Sequence, residues 1–94
     1  MRPVRFPLQL HLRYRGIGEQ TWKHGVTENI SRRGVLFQAV DLPPVSSRLE
    51  LTFRLRFGPF TSEVRCRAEV LRTEAVENRG TVAARIDDYR IRRV

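Results

Sequence analysis

Residues 48–57 read RLELTFRLRF. Leu49, Leu51, Phe53, Leu55 and Phe57 alternate without a break with Arg48, Glu50, Thr52, Arg54 and Arg56. A period of two over ten residues is the signature of a strand with one apolar and one polar face, and no helical face fits it. The decision between α and β is made here, and the rest of the chain follows the same rhythm.

After FGPF turns the chain, Val64, Cys66, Ala68 and Val70 alternate with Arg65, Arg67 and Glu69. Upstream, Leu8, Leu10, Leu12 and Tyr14 alternate with Gln9, His11, Arg13 and Arg15, and RGIGEQ supplies a hairpin turn. TWKHGVTE reads as a second strand with Trp22, His24 and Val26 on one face. GVLFQAV gives a third, with Val35, Phe37 and Ala39 inward, and DLPPVSS is a loop because its prolines cannot lie in a central strand. EAVENRG reads as a further loop, and Val82, Ala84 and Ile86 mark a sixth strand. The tail DDYRIRRV has the length of a short C-terminal helical turn, with Asp87 and Asp88 as its N-cap. The fold expected is all-β: a small six-stranded antiparallel β-barrel, since closure hides the edges of six half-apolar strands. Residues 1–94 form a single domain, with 1–6 as an arginine-bearing arm.

Composition narrows the function. The chain has 94 residues, 40% hydrophobic, with 18 Lys+Arg against 10 Asp+Glu, for a net charge of +8. Seventeen of the 18 are arginine, and only Lys23 is lysine. Arginine's planar fork matches phosphate oxygens and guanine edges better than lysine does, so the charge favours an anionic partner; scattered arginines that merely solvate strand faces are the plainer explanation. No apolar run approaches the roughly 20 residues of a membrane span, and a signal peptide's apolar centre is missing, so a cytoplasmic protein is expected. The single Cys66 lies in phase with core positions and has no neighbours at zinc-ligand spacing. His11 falls on a polar face, and His24 reads as a packed histidine. No nucleophile motif, metal cluster or phosphate-cradling loop occurs, so the expectation is no catalytic residue, no metal and no cofactor. Phe37, Phe53 and Phe57 fall in phase with the core, which leaves few aromatics for stacking single-stranded nucleic acid.

The corner NISRRG, residues 29–34, carries the specific signal. Asn and Ser form turns by bonding their own backbone, and Gly ends them. The same spacing, together with the strand order and the arginine-bearing N-terminus, resembles the PilZ domain, the bacterial receptor module for cyclic di-GMP. Its second motif is Asp or Asn, any residue, Ser, any two, Gly; Asn29, Ser31 and Gly34 fit every fixed position. VLF, AEVLR and VAARI also follow the family's strand rhythm, so the likeness covers roughly the whole chain. The family's first motif is two arginines four apart. Arg5 stands at the second; four before it is Met1, and Arg2 is three before.

The resemblance implies a non-catalytic receptor binding cyclic di-GMP between the arm and the corner, through Arg2, Arg5, Asn29, Ser31, Arg33 and Gly34. Guanidinium groups fork onto guanine O6 and N7 or stack on the base. Asn29 accepts from the guanine edge, Ser31 donates to phosphate, Gly34 supplies positive φ and room for the ligand, and Arg32 and Arg33 add field. Output would pass to a partner protein or an attached domain. Arg72 matches an arginine common in the family, and a solvated strand end explains it equally. Two other readings stand beside this one: a PilZ-like interaction module without the nucleotide, and a basic single-strand nucleic-acid binder.

Overall fold

The decisive stretch forms a strand over its full length. In the computed structural model, which describes residues 9–77 and 79–94, the elements are β1 (His11–Gly16), β2 (Lys23–Ile30), β3 (Gly34–Ala39), β4 (Arg48–Phe57), β5 (Phe60–Val76) and β6 (Arg79–Arg93). All pairings are antiparallel, and the sheet closes in the order β1-β2-β3-β6-β5-β4, with β4 returning to β1. The fold is the expected all-β barrel. Among the described residues there is no helix, so none is long and apolar enough to cross a membrane.

Alternation fills the barrel. Leu12, Tyr14, Val35, Phe37, Leu49, Leu51, Phe53, Val64, Cys66, Ala68, Val70, Val82 and Ala84 form one buried cluster. Tyr14 packs on Phe37 with ring centroids 5.3 Å apart and donates its hydroxyl to the Asp41 carbonyl at 2.6 Å. That bond anchors the 40–47 loop to the core. Burial, then the Asp41 charge, raises the Tyr14 pKa, and burial, with a smaller contribution from Asp88, pushes the Cys66 thiol up to about 11.

Four expectations are corrected. In β2 the inward residues are Gly25 and Thr27, so Trp22, His24 and Val26 share the outer face, and His24 is exposed rather than packed. The inner face carries no large side chain at Gly25 because there is no space for one: a Cβ there would lie 2.8 Å from the Gln38 carbonyl oxygen. Trp22 lies instead beneath Arg13 and Arg15, whose guanidinium carbons stand 5.3 and 4.2 Å from its ring centroid. Second, Phe57 is exposed, because β4 and β5 continue past the last β1 pairing at Phe53 to a turn at Gly58 and Pro59. Third, EAVENRG is no open loop: β5 continues to Val76, which pairs with Arg79.

The fourth correction concerns the tail. DDYRIRRV is strand, not a helical turn, and β6 runs on alongside β5 as far as Arg93 opposite Ser62. The pairing steps from Ala68 opposite Ile86 to Arg67 opposite Asp88, which leaves Asp87 as an extra residue in a β-bulge. Regular alternation would set Asp88 opposite Cys66, on the core face. The bulge restores an exposed position to Asp88, and neither carboxylate caps a helix.

Candidate functional site

The NISRRG corner is a two-residue hairpin turn between β2 and β3. Ser31 N–H donates to the Gly34 carbonyl at 2.8 Å, which leaves Arg32 and Arg33 as the turn residues. Ser31 Oγ accepts from the Gly34 amide at 3.1 Å and the Arg33 amide at 3.3 Å. The serine therefore folds the turn from within, the local bonding that its residue type favours. The Arg33 carbonyl in turn accepts the Ile86 amide at 2.8 Å, fastening the corner to β6.

A bulge also prepares Asn29. Thr27 pairs with Phe37 and Asn29 with Leu36, so Glu28 is the extra residue, its carboxylate held by Gln38 Nε2 at 2.7 Å. Past the bulge, Ile30 faces the core opposite Val35 and Asn29 faces outward. Asn29 is half-buried and makes no side-chain hydrogen bond among the described residues, nor do Arg32 and Arg33 make ion pairs there. Donors and acceptors so placed are available to an incoming molecule.

Gly34 departs from the expectation in one respect. Its φ is not positive, and a Cβ added there would meet only the Ala84 carbonyl at 3.5 Å and Ser31 Oγ at 3.9 Å, ordinary contacts. The barrel itself does not require glycine at this position. What glycine does provide is a flat floor on the outer face, and Ala83 continues it opposite Leu36.

Cross-strand partners share a face, so the outer surface can be read in rows. One row runs Asn29, Leu36, Ala83, Arg72 across β2, β3, β6 and β5; the next runs Gly34, Arg85, Glu69, Arg48 across β3, β6, β5 and β4. Arg72 is thus within a long strand on the Asn29 row, not at a strand end. Beside the corner lies an open groove of about 520 Å³ lined by Arg32, Arg33, Arg85, Ile86, Asp87, Asp88 and Tyr89. That size falls within the usual range for small-ligand sites. Of the candidate residues, the fold brings Asn29, Ser31, Arg33 and Gly34 to one corner. The groove adds Arg85, Asp87 and Tyr89, whose positions depend on a β3–β6 register that no local pattern encodes. Arg2 and Arg5 lie outside the described residues.

The described residues form a closed six-stranded antiparallel barrel with an Asn-x-Ser-x-x-Gly corner beside a groove lined by three arginines. The chain belongs to the PilZ domain family, whose model matches residues 1–93. Its fold is similar to that of the Bacillus subtilis inhibitor of motility MotI/DgrA, with a TM-score of 0.78 at 20% identity, covering 94% of this chain and 43% of that one. The chain thus spans less than half of that relative's length. No curated protein matches the sequence.

Proposed function

We propose that this PilZ domain is a non-catalytic, cytoplasmic receptor for cyclic di-GMP that binds the nucleotide over the Asn29–Gly34 corner. The observation that carries the reading is Gly34: the fold accepts a side chain there, yet the surface is bare beside Asn29, Arg32 and Arg33, whose side chains have no hydrogen-bond or ion-pair partner among the described residues. A planar base with a phosphate fits a flat floor rimmed by guanidinium groups.

In this reading Asn29 accepts from the guanine edge, Arg33 supports a phosphate, and Ser31 holds the turn that presents both. Arg5 and Arg2 close over the ligand from the N-terminal side. Closure of the arm changes the surface shown to a partner protein or an attached output domain, which is population shift by contacts made only in the closed state. The family supports the nucleotide, and the corner's chemistry supports the residues.

The test is calorimetric titration of the folded protein with cyclic di-GMP, alongside Asn29→Ala, Arg33→Ala and Arg5→Ala. Saturable binding weakened by all three supports the assignment. An absence of heat from folded protein near millimolar ligand would leave a PilZ barrel used for protein interaction alone.

A further inference from the structure

The row that starts at Gly34 continues into a charged network. Arg85, directly opposite Gly34, donates Nη2 to Glu69 and lies with Nε 3.4 Å from Asp87 Oδ1. The other oxygen, Asp87 Oδ2, accepts from Arg48 Nη2 at 2.8 Å. One carboxylate therefore engages two guanidinium groups, one through each oxygen. Its side chain is 24% exposed, against 53% for Arg85 and 54% for Arg48, so it is the inner member of the trio. It is the extra residue of the β-bulge, and the groove that takes in Arg85 and Asp87 also takes in the turn arginines Arg32 and Arg33.

We infer that Asp87 is a built-in competitor for the ligand's phosphate, and that Arg85 is a further ligand-contacting residue which Asp87 holds back. The inference rests on the cyclic di-GMP reading and deepens it. A carboxylate and a phosphodiester both present two oxygens that share one negative charge, so each satisfies the same pair of arginine donors. A ligand lying on Gly34 has Arg85 as its next neighbour along the row, one strand spacing away. Half-exposed ion pairs of this kind are weak and screened, so an anion brought in by base contacts elsewhere can displace the carboxylate. Asp87 then repels the phosphate that has replaced it, and this residual repulsion lowers affinity. Glu69 keeps hold of Arg85 during the exchange and limits how far its guanidinium swings.

Asp87 thus sets the concentration at which the receptor responds, without forming part of the nucleotide's recognition pattern. The arrangement predicts a gain of binding from losing a side chain, an outcome that a purely structural ion pair would not give.

The experiment is calorimetry with cyclic di-GMP on wild type, Asp87→Asn, Arg85→Ala and the double variant, at about 0.1 M salt, with denaturation midpoints recorded for each. Asp87→Asn is expected to tighten binding roughly three- to tenfold, and Arg85→Ala to weaken it by a similar factor. The gain from Asp87→Asn should shrink in the Arg85→Ala background, because the two substitutions act on one contact. If wild type binds, Asn29→Ala abolishes binding, and neither Asp87→Asn nor Arg85→Ala moves the affinity, the competitor is refuted while the receptor reading survives. If neither wild type nor Asp87→Asn takes up ligand although both are folded, the receptor reading fails and this inference goes with it. Binding that is weak in wild type and much tighter in Asp87→Asn supports both.

Discussion

Ser31 Oγ lies 3.1 Å from the amide nitrogen of Gly34, so two of the three fixed motif positions are bonded to each other before any ligand arrives. The serine is a structural member of the corner whatever else it contacts. Ser31→Ala leaves the Gly34 and Arg33 amides without this acceptor and is expected to cost about 1 kcal/mol. Urea denaturation in the absence of nucleotide measures that cost. An unchanged midpoint would show that the turn closes without the hydroxyl.

Gly34→Ala separates fold from binding. A Cβ there meets only ordinary contacts, and alanine restricts the unfolded chain, so stability should hold or rise by up to about 1 kcal/mol. Cyclic di-GMP affinity is expected to fall about tenfold or more, a change of about 1.4 kcal/mol. Thermal melts and titrations on the same sample read both. Full binding by the alanine variant would remove the flat-floor argument.

Gly25→Ala has the opposite profile. The added methyl would press on the Gln38 carbonyl at 2.8 Å and on Phe37 at 3.1 Å, where backbone cannot step aside cheaply. A loss of about 1–3 kcal/mol is expected, as for overpacking generally. Chemical denaturation should show it with little effect on the ligand corner.

Alkaline pH should weaken the fold through Cys66. Its thiol, at about 11 in the folded protein against an ordinary 9.0, stays protonated in the core while the unfolded chain ionises. The stability it confers is complete below pH 9 and is lost as pH rises through 11, at most about 2–3 kcal/mol. The raised Tyr14 pKa acts in the same direction. Cys66→Ala should flatten the cysteine's share of the stability–pH curve between 9 and 11. Its own cavity cost appears as a constant offset at lower pH.

Trp22 is the only tryptophan and reports on its arginine neighbours. Arg15→Ala removes the guanidinium 4.2 Å from the ring and leaves Glu50 without its 3.2 Å partner. A shift in Trp22 emission with a stability loss of no more than about 1 kcal/mol is expected, since such contacts are modest at half-exposed sites. An unshifted emission spectrum would mean that the arginine does not rest on the ring in solution.

Strands with uninterrupted alternation were legible. Residues 48–57 announce β4, and Val64 to Val70 announce the inward face of β5, because every core position there carries an apolar side chain. β2 was misread in phase because its inward positions are Gly25, which has no side chain, and Thr27, which looks polar. The apolar bodies of Trp22 and Val26 then mimicked a core face. In the tail, the bulge at Asp87 broke the period just where the charges became dense, so a continuing strand lost its rhythm. The Asn29–Gly34 corner was legible because it is contiguous. Arg85 was not, because its neighbourhood with Gly34 is created by pairing between strands far apart in the chain.

The strand order of the barrel has one further consequence. β1, β2 and β3 are joined in sequence by turns, as are β4, β5 and β6, so the molecule is two three-stranded meanders sewn together along two seams, β3–β6 and β1–β4. Each meander can assemble from local pairings, whereas the seams must close long loops and are the slow, non-local part of folding. The candidate site straddles the β3–β6 seam, with Asn29 and Gly34 on one half and Arg85 on the other. A nucleotide bound there stitches the two halves together, so it should act on the lifetime of the closed barrel as well as on its population, slowing unfolding at one of its two non-local seams.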